Sequence, residues 1–525
     1  GVSVAILSMF SDARKVKNSV ARWSITVGGI SVLFVLVLIF LYLLYVIKPI
    51  FESATIDLSL VVDNQNKQQV LSVGINEQQE IGYQIDSLGL MRFYQLTEAS
   101  GRNKNEPVLE ERISDVGIER IINSYGQKRI VIDKTGQVAV ISAKFVSTYP
   151  NDQRVITPVV EYPLGEEFIP VSEDGELIKD LGFAMNEERA VFLAQTQNDE
   201  VLVTHLNAAD DFNYDPEFEP EYQTLELPMT FDAIDQMLVT PDLALGFIRS
   251  GNQVAVYELD DASLKIVLTP TSHSNATLTS MALLSGGSSV LFGDSDGFIS
   301  QWFEVAGKDG REFKEIRQFQ LSETESVANI YVEAYRKSFY AVTPSGKMGL
   351  FYTTSNANLW QGQISDEVPT AFTISPRSNG LIISDSKGMA VFHVDNEHPE
   401  VTWEALWQEI WYEGYPEPSY IWQSTSASDD FEAKFSLAPI SFGTMKAALY
   451  AMFFAVPIAI TAAIYTAYFM TPTLRKAVKP TIEIMEALPT VILGFLAGLW
   501  LAPIAEQYLP AIVLLLLFLP TATLI

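Results

Sequence analysis

DSLGLMRFYQL, residues 86–96, reads as the second half of a hairpin: a tight turn around Gly89, then a strand of alternating character. The same unit recurs as DKTGQVAVIS (133–142), QNDEVLVTHL (197–206), SGNQVAVYEL (250–259), SDGFISQWFEV (295–305), PSGKMGLFYTT (344–354) and DSKGMAVFHV (385–394). The turn residues are Gly89, Gly136, Asp199, Gly251, Gly297, Gly346 and Gly388, so successive units are 47, 63, 52, 46, 49 and 42 residues apart. A period in the forties to about fifty is that of four-stranded propeller blades. The one long interval contains EYPLGEEFIPVSEDGE, 161–176, which fits a loop insertion. The region therefore reads as a seven-bladed β-propeller, with six or eight blades as the nearest alternatives. A pair of irregular β-sandwiches stays open, because no strict blade signature such as a repeated Trp-Asp is present.

Four apolar stretches flank this region. The first, about Ser24 to Val46, has no charge and is long enough for a hydrocarbon core of about 30 Å. Arg14, Lys15, Lys17 and Arg22 precede it, and only Lys48 follows closely, which places the N-terminus in the cytoplasm. Trp23 and Tyr45 stand where interfacial aromatics are expected. The second stretch, Met445 to Met470, is followed by Arg475, Lys476 and Lys479 and returns inward. The third, Ala487 to Ile504, leads out to a turn at Glu506 and Gln507, and the fourth runs from Leu509 to Ile525. A start at Gly1 and an end inside an apolar run are what a piece of a longer protein would give.

The 525 residues carry a formal net charge of −30. The charge is segregated: residues 1–54 and 436–525 hold nine Lys/Arg against five Asp/Glu, and the middle holds 25 against 59. Such an acidic domain disfavours nucleic acid and anionic lipid. Cysteine is absent, so disulfides and thiolate metal sites are excluded. No catalytic constellation is visible. His205, His273, His393 and His398 show no metal-ligand spacing, and Asp294-Ser295-Asp296-Gly297 reads as a hairpin turn more readily than as a calcium loop. The run Asp210, Asp211, Asp215, Glu217, Glu219, Glu221, interleaved with Phe212, Tyr214, Phe218 and Tyr222, is a solvated loop or a docking strip for a basic partner.

Trp403, Trp407, Trp411 and Trp422 gather four of the eight tryptophans into the junction between propeller and second span. They suit either Velcro-like packing of the last blade or a collar at the headgroup level. Beyond the junction, Pro457, Pro480, Pro489 and Pro503 are expected to interrupt the helices, and Gly494 and Gly498 permit close helix contact. Together they suggest a packed, cavity-lining bundle. The chain then divides into 1–54 (N-terminus and first transmembrane helix), 55–400 (propeller), 401–440 (aromatic junction) and 441–525 (transmembrane domain).

Within Ser436 to Pro503, Ala463-Ile464-Tyr465, then Glu483, Met485 and Glu486, then Pro489-Thr490-Val491 and Gly494 resemble the transmembrane domain of bacterial type I ABC importer permeases. The match is closest to the Pst-type phosphate permease subunits, in a long variant with an insertion after the first span, and covers about 100 residues well. That resemblance implies one half of a phosphate path in the bacterial inner membrane, with the propeller in the periplasm. It implies as partners a second permease subunit, ATP-binding cassette subunits that use the ATP, and a periplasmic phosphate-binding protein. The chain would bind no cofactor and would not itself be an enzyme. The cytoplasmic coupling loop of such permeases would lie beyond Ile525. Thr490, Pro489 and Gly494 are the path candidates; Arg475, Lys476, Lys479, Glu483 and Glu486 are candidates for the cytoplasmic mouth, with Lys479 and Glu483 spaced to pair. A propeller scaffold for envelope assembly or signalling, with its spans serving only as anchors, is the alternative.

Overall fold

The computed structural model of the chain describes residues 2–64, 67–208, 218–271, 273, 275–486 and 488–524. Seven four-stranded antiparallel sheets follow one another along the chain. Blades 1 to 6 span residues 70–112, 118–161, 178–225, 236–268, 278–320 and 329–363. Blade 7 takes three strands from residues 371–395 and its fourth from β1 (Thr55–Asp63), which precedes blade 1 in sequence. Thr55 pairs with Asp395 and Asp63 with Gly388, so the two ends of the domain are zipped together. The region is therefore a closed seven-bladed propeller.

Six of the seven turn residues lie between the second and third strands of their blades and the seventh, Gly388, opens the third strand of blade 7; all have positive φ. The reason is local. At Gly346 (φ 85°) a Cβ would collide with the Ser365 carbonyl oxygen, in the chain just past the fourth strand. A repeated acceptor fixes the same turns. Asp86, Asp133 and Asp294 each take backbone N–H groups two and four residues on, at 2.9 to 3.1 Å. Thr196 and Thr343 take the one four residues on. Asp294-Ser295-Asp296-Gly297 is thus one hairpin turn among several.

The core is divided among the blades. Seven clusters of buried apolar side chains sit one between each neighbouring pair, from Ile81, Phe93 and Ile141 between blades 1 and 2 to Val62, Val70 and Ile382 between blades 7 and 1. Each fully buried Phe or Ile contributes about 1.5–3 kcal/mol. EYPLGEEFIPVSEDGE forms the connection between blades 2 and 3. Residues 209–217 of the acidic run lie outside the described residues; Glu219 and Glu221 are exposed on the outer strand of blade 3.

The chain divides into two units, 1–439 and 440–525. In the first, α1 (Val2–Ile47) leads through a short turn, Lys48–Phe51, to β1. In the second, α3 (Leu437–Ile464, entering from the first unit) continues through a π-helical turn, Tyr465–Phe469, to α4 (Pro472–Glu486); the five-residue α2 is placed below. Then come α5 (Thr490–Leu496), a second π-helical turn (Ala497–Leu501), α6 (Ala502–Gln507) and α7 (Leu509–Leu524). Three stretches are long and apolar enough to cross a membrane: Lys15–Phe51, Leu437–Phe469 and Thr490–Gln507. The fourth expected span is an apolar helix of 16 residues, rising only about 24 Å. Pro457 and Pro480 do not interrupt their helices as the sequence suggested. A proline removes one backbone bond, and the turns on either side stay paired. Pro489 does cap a break, and Pro503 sits in the first turn of α6. No described residue from 440 to 524 is buried, so these helices do not pack into a closed bundle by themselves.

Candidate functional site

Between blade 7 and α3, residues 396–436 form a strap across the propeller. The face it covers follows from topology. Thr55, where the chain enters, and Asp395, where it leaves, pair with each other at the end of the blade that carries the first-to-second and third-to-fourth strand turns. The strap lies on those same turns in blades 5 and 6. Ser355 donates to the Pro399 carbonyl (3.0 Å), and Arg336, paired through two hydrogen bonds with the buried Glu333, donates to the Asn396 carbonyl (2.6 Å). Thr402 caps α2 (Trp403–Trp407), accepting from the Ala405 amide. A hairpin then closes between Ile410 and Ser419.

Under that hairpin lies a buried cluster of charges. Arg317, from the outer strand of blade 5, donates to the Trp411 carbonyl (2.5 Å) and to Gln301 (2.9 Å), which is itself held on Ser289. Lys337, 2% exposed, donates to the Ser285 carbonyl (2.6 Å) and pairs with Glu413 (3.3 Å). Glu432 accepts from the Glu413 amide (2.8 Å) and the Thr354 hydroxyl (2.7 Å). Lys434 donates to the Glu432 carbonyl and lies over the rings of Phe431, Tyr412 and Tyr415. Burial, with Glu432 nearby, pushes the Glu413 carboxyl up to about 7 against the pull of Lys337. Burial lowers the Arg317 guanidinium and the Lys434 ammonium, and raises the Tyr412 hydroxyl to about 12. Such a cluster stabilises docking only while every charge keeps its partner. It joins residues up to 149 positions apart in sequence, from Ser285 to Lys434.

The four tryptophans separate in role. Trp411 turns inward, its ring against Phe303 and its Nε1 donating to the Tyr415 carbonyl. Trp403, Trp407 and Trp422 are exposed. None of them closes the last blade; β1 does that, because an added outer strand satisfies a whole edge of backbone groups.

In the second unit, Arg475 lies near the start of α4 and reaches back to the Ala467 (2.8 Å) and Met470 (3.2 Å) carbonyls, which the π-helical turn leaves open. Lys476, Lys479, Glu483 and Glu486 follow on α4, exposed; among the described residues no ion pair joins Lys479 to Glu483. Pro489 is the N-cap residue of α5 and Thr490 its first residue, while Gly494 has open space around it. Thr26, Thr444, Thr461, Thr466, Thr481, Thr521 and Thr523 each donate to a carbonyl three or four residues back. Among the described residues, the Thr490 hydroxyl has no such partner.

Outside these regions, His205 is buried with Nε2 3.0 Å from the Leu259 carbonyl, His393 lies on the third strand of blade 7, His273 faces Asp296, and His398 faces Glu400. Among the described residues no group of three or more His, Cys, Asp or Glu side chains could hold a metal ion. No family model matches the chain, and no curated protein matches it.

Proposed function

We propose that this chain is a permease subunit of an ATP-driven importer, most simply for inorganic phosphate, with its propeller held in the periplasm. The observation that carries the reading is the break at Pro489. There, among the described residues, the Thr490 hydroxyl has no backbone partner three or four residues back; it stands at the start of an apolar helix, within the Pro489-Thr490-Val491 stretch that resembles phosphate permeases. A dehydrated oxyanion needs N–H and O–H donors at membrane depth, and helix starts supply them. The cationic residues of α4, Arg475, Lys476 and Lys479, give that helix the character of an inner mouth. Helices with no buried residue of their own call for lipid and partner helices, as one half of a two-subunit path would.

The strap supports a second reading, a membrane-anchored propeller scaffold for the cell envelope, because it fixes the exit of the chain on the propeller through a dedicated buried cluster. Affinity purification through this chain from native membranes separates the two. Recovery of nucleotide-binding subunits in stoichiometric amount supports the permease; recovery of envelope proteins with no ATPase supports the scaffold.

A further inference from the structure

We propose that the strap face of the propeller is a lipid-contacting surface, seated in the headgroup layer of the bilayer that α1 and α3 enter. Three exposed tryptophans carry it. Trp403 and Trp407 stand one turn apart on α2, ring centroids 6.1 Å from each other, 71% and 40% exposed, while Ala405 between them is buried. Trp422, 42% exposed, packs on Phe435 at 5.4 Å across a two-residue strand pair. Tyr420 beside it is also exposed. Rings with an apolar body and a polar edge are suited to the boundary between acyl chains and water.

The length of chain on each side names the occupant. Phe435 is separated from the first residue of α3 by Ser436 alone. On the other side, residues 48–54 connect α1 to Thr55, and seven residues reach no further than about 25 Å. Thr55 and the strap share one face of the propeller, so that face is held close to the membrane at two separate points. Backing is rigid, because the cluster around Lys337 and Glu413 pins the strap, and little ordering entropy is lost on contact. Charge narrows the lipid chemistry. Of the nine Asp or Glu in residues 396–436, Glu413 and Glu432 are held in the buried cluster together with the one Lys; the other seven leave the surface acidic, so it is repelled by anionic headgroups and seats through its aromatic rings in zwitterionic lipid. The inference rests on α1 and α3 crossing a bilayer and is independent of transport.

The absence of cysteine makes the test direct. Trp403→Cys, Trp407→Cys and Trp422→Cys, each in the full chain in zwitterionic vesicles, are spin-labelled and compared for collision with oxygen, which favours lipid, and with a water-soluble nickel chelate. Leu38→Cys in the middle of α1 sets the lipid reference, and Leu88→Cys, on a turn of the opposite propeller face, sets the aqueous one. The expected result is an oxygen-to-nickel ratio at the three strap positions severalfold above that at Leu88, falling as anionic lipid is added. Ratios equal to Leu88 overturn the proposal. So does immobilisation with low access to both reagents, which would mean that a protein covers the strap. An aqueous reading at Leu38 itself would overturn membrane insertion along with it.

Discussion

Replacing Lys337 by Met tests the buried cluster where its physics is most exposed. Lys337 donates to the Ser285 carbonyl and forms the ion pair with Glu413; the like-signed Glu432 also acts on that carboxyl, and Arg317 and Lys434 act on it without an ion pair. Removing one partner of a buried pair costs about 3–5 kcal/mol, because the remaining charge stays desolvated. At about 1.4 kcal/mol per decade, strap opening should become more frequent by about two to three and a half orders of magnitude. Amide hydrogen exchange reads this locally: Glu413, Ile410 and Ser419 amides, all hydrogen-bonded within the strap, should lose protection while blade 1 does not change. The sign of the pH dependence is fixed. The Glu413 carboxyl is raised in the folded protein, so the folded state holds its proton more tightly, and its contribution to strap docking falls as pH rises from the ordinary carboxylate range through about 7. In Lys337→Met the penalty should therefore be large at pH 8 and smaller at pH 6, where the carboxyl takes a proton. Adding Glu413→Gln should restore much of the lost protection. Unchanged exchange at Glu413, or an equal penalty at both pH values, would refute the reasoning.

Gly346→Ala, at a turn where a Cβ meets the Ser365 carbonyl, should lower the thermal midpoint clearly, by a loss of about 1–3 kcal/mol, whereas Gly251→Ala, with open space around it, should cost less in the same melt. Val62→Asp puts a carboxylate among Val70, Ile382 and Met389, which costs several kcal/mol and should loosen β1 from blade 7, read as new proteolytic cleavage between residues 55 and 63. Thr490→Val should lower phosphate uptake by the assembled complex without lowering the amount of protein in the membrane; unchanged uptake removes Thr490 from the path.

Much of the propeller was legible because each blade repeats a local requirement. A turn with positive φ between the second and third strands demands Gly or a tolerant Asp, and seven such residues at near-regular spacing count the blades. A second signal was present and unread: Asp or Thr three residues before the turn residue, as at Asp86, Asp133, Thr196, Asp294, Thr343 and Asp385, five of which cap turn amides as described and the sixth, Asp385, accepts from the Lys387 amide. The closing strand was not legible, since Thr55–Asp63 pairs with residues more than 300 positions away. The strap was visible only as aromatic richness. Nothing local in Glu413, Glu432, Lys337 or Arg317 distinguishes them from the many exposed charges of an acidic domain; their burial comes from the meeting of blades 5 and 6 with a later segment. In the helical part, composition gave the apolar stretches but not the helix paths. Pro457 and Pro480 stand inside continuous helices, because a proline alone does not mark a break, and the π-helical turns at Tyr465 and Ala497 leave no local mark in composition.

The path reading stands or falls on transport. The complex purified through this chain and reconstituted in sealed vesicles, with ATP on the cytoplasmic side and a phosphate-binding protein on the other, should accumulate labelled phosphate only while ATP is hydrolysed. Normal assembly of the propeller and its helices in such vesicles, with no nucleotide-binding subunit and no ATP-dependent accumulation, would contradict it.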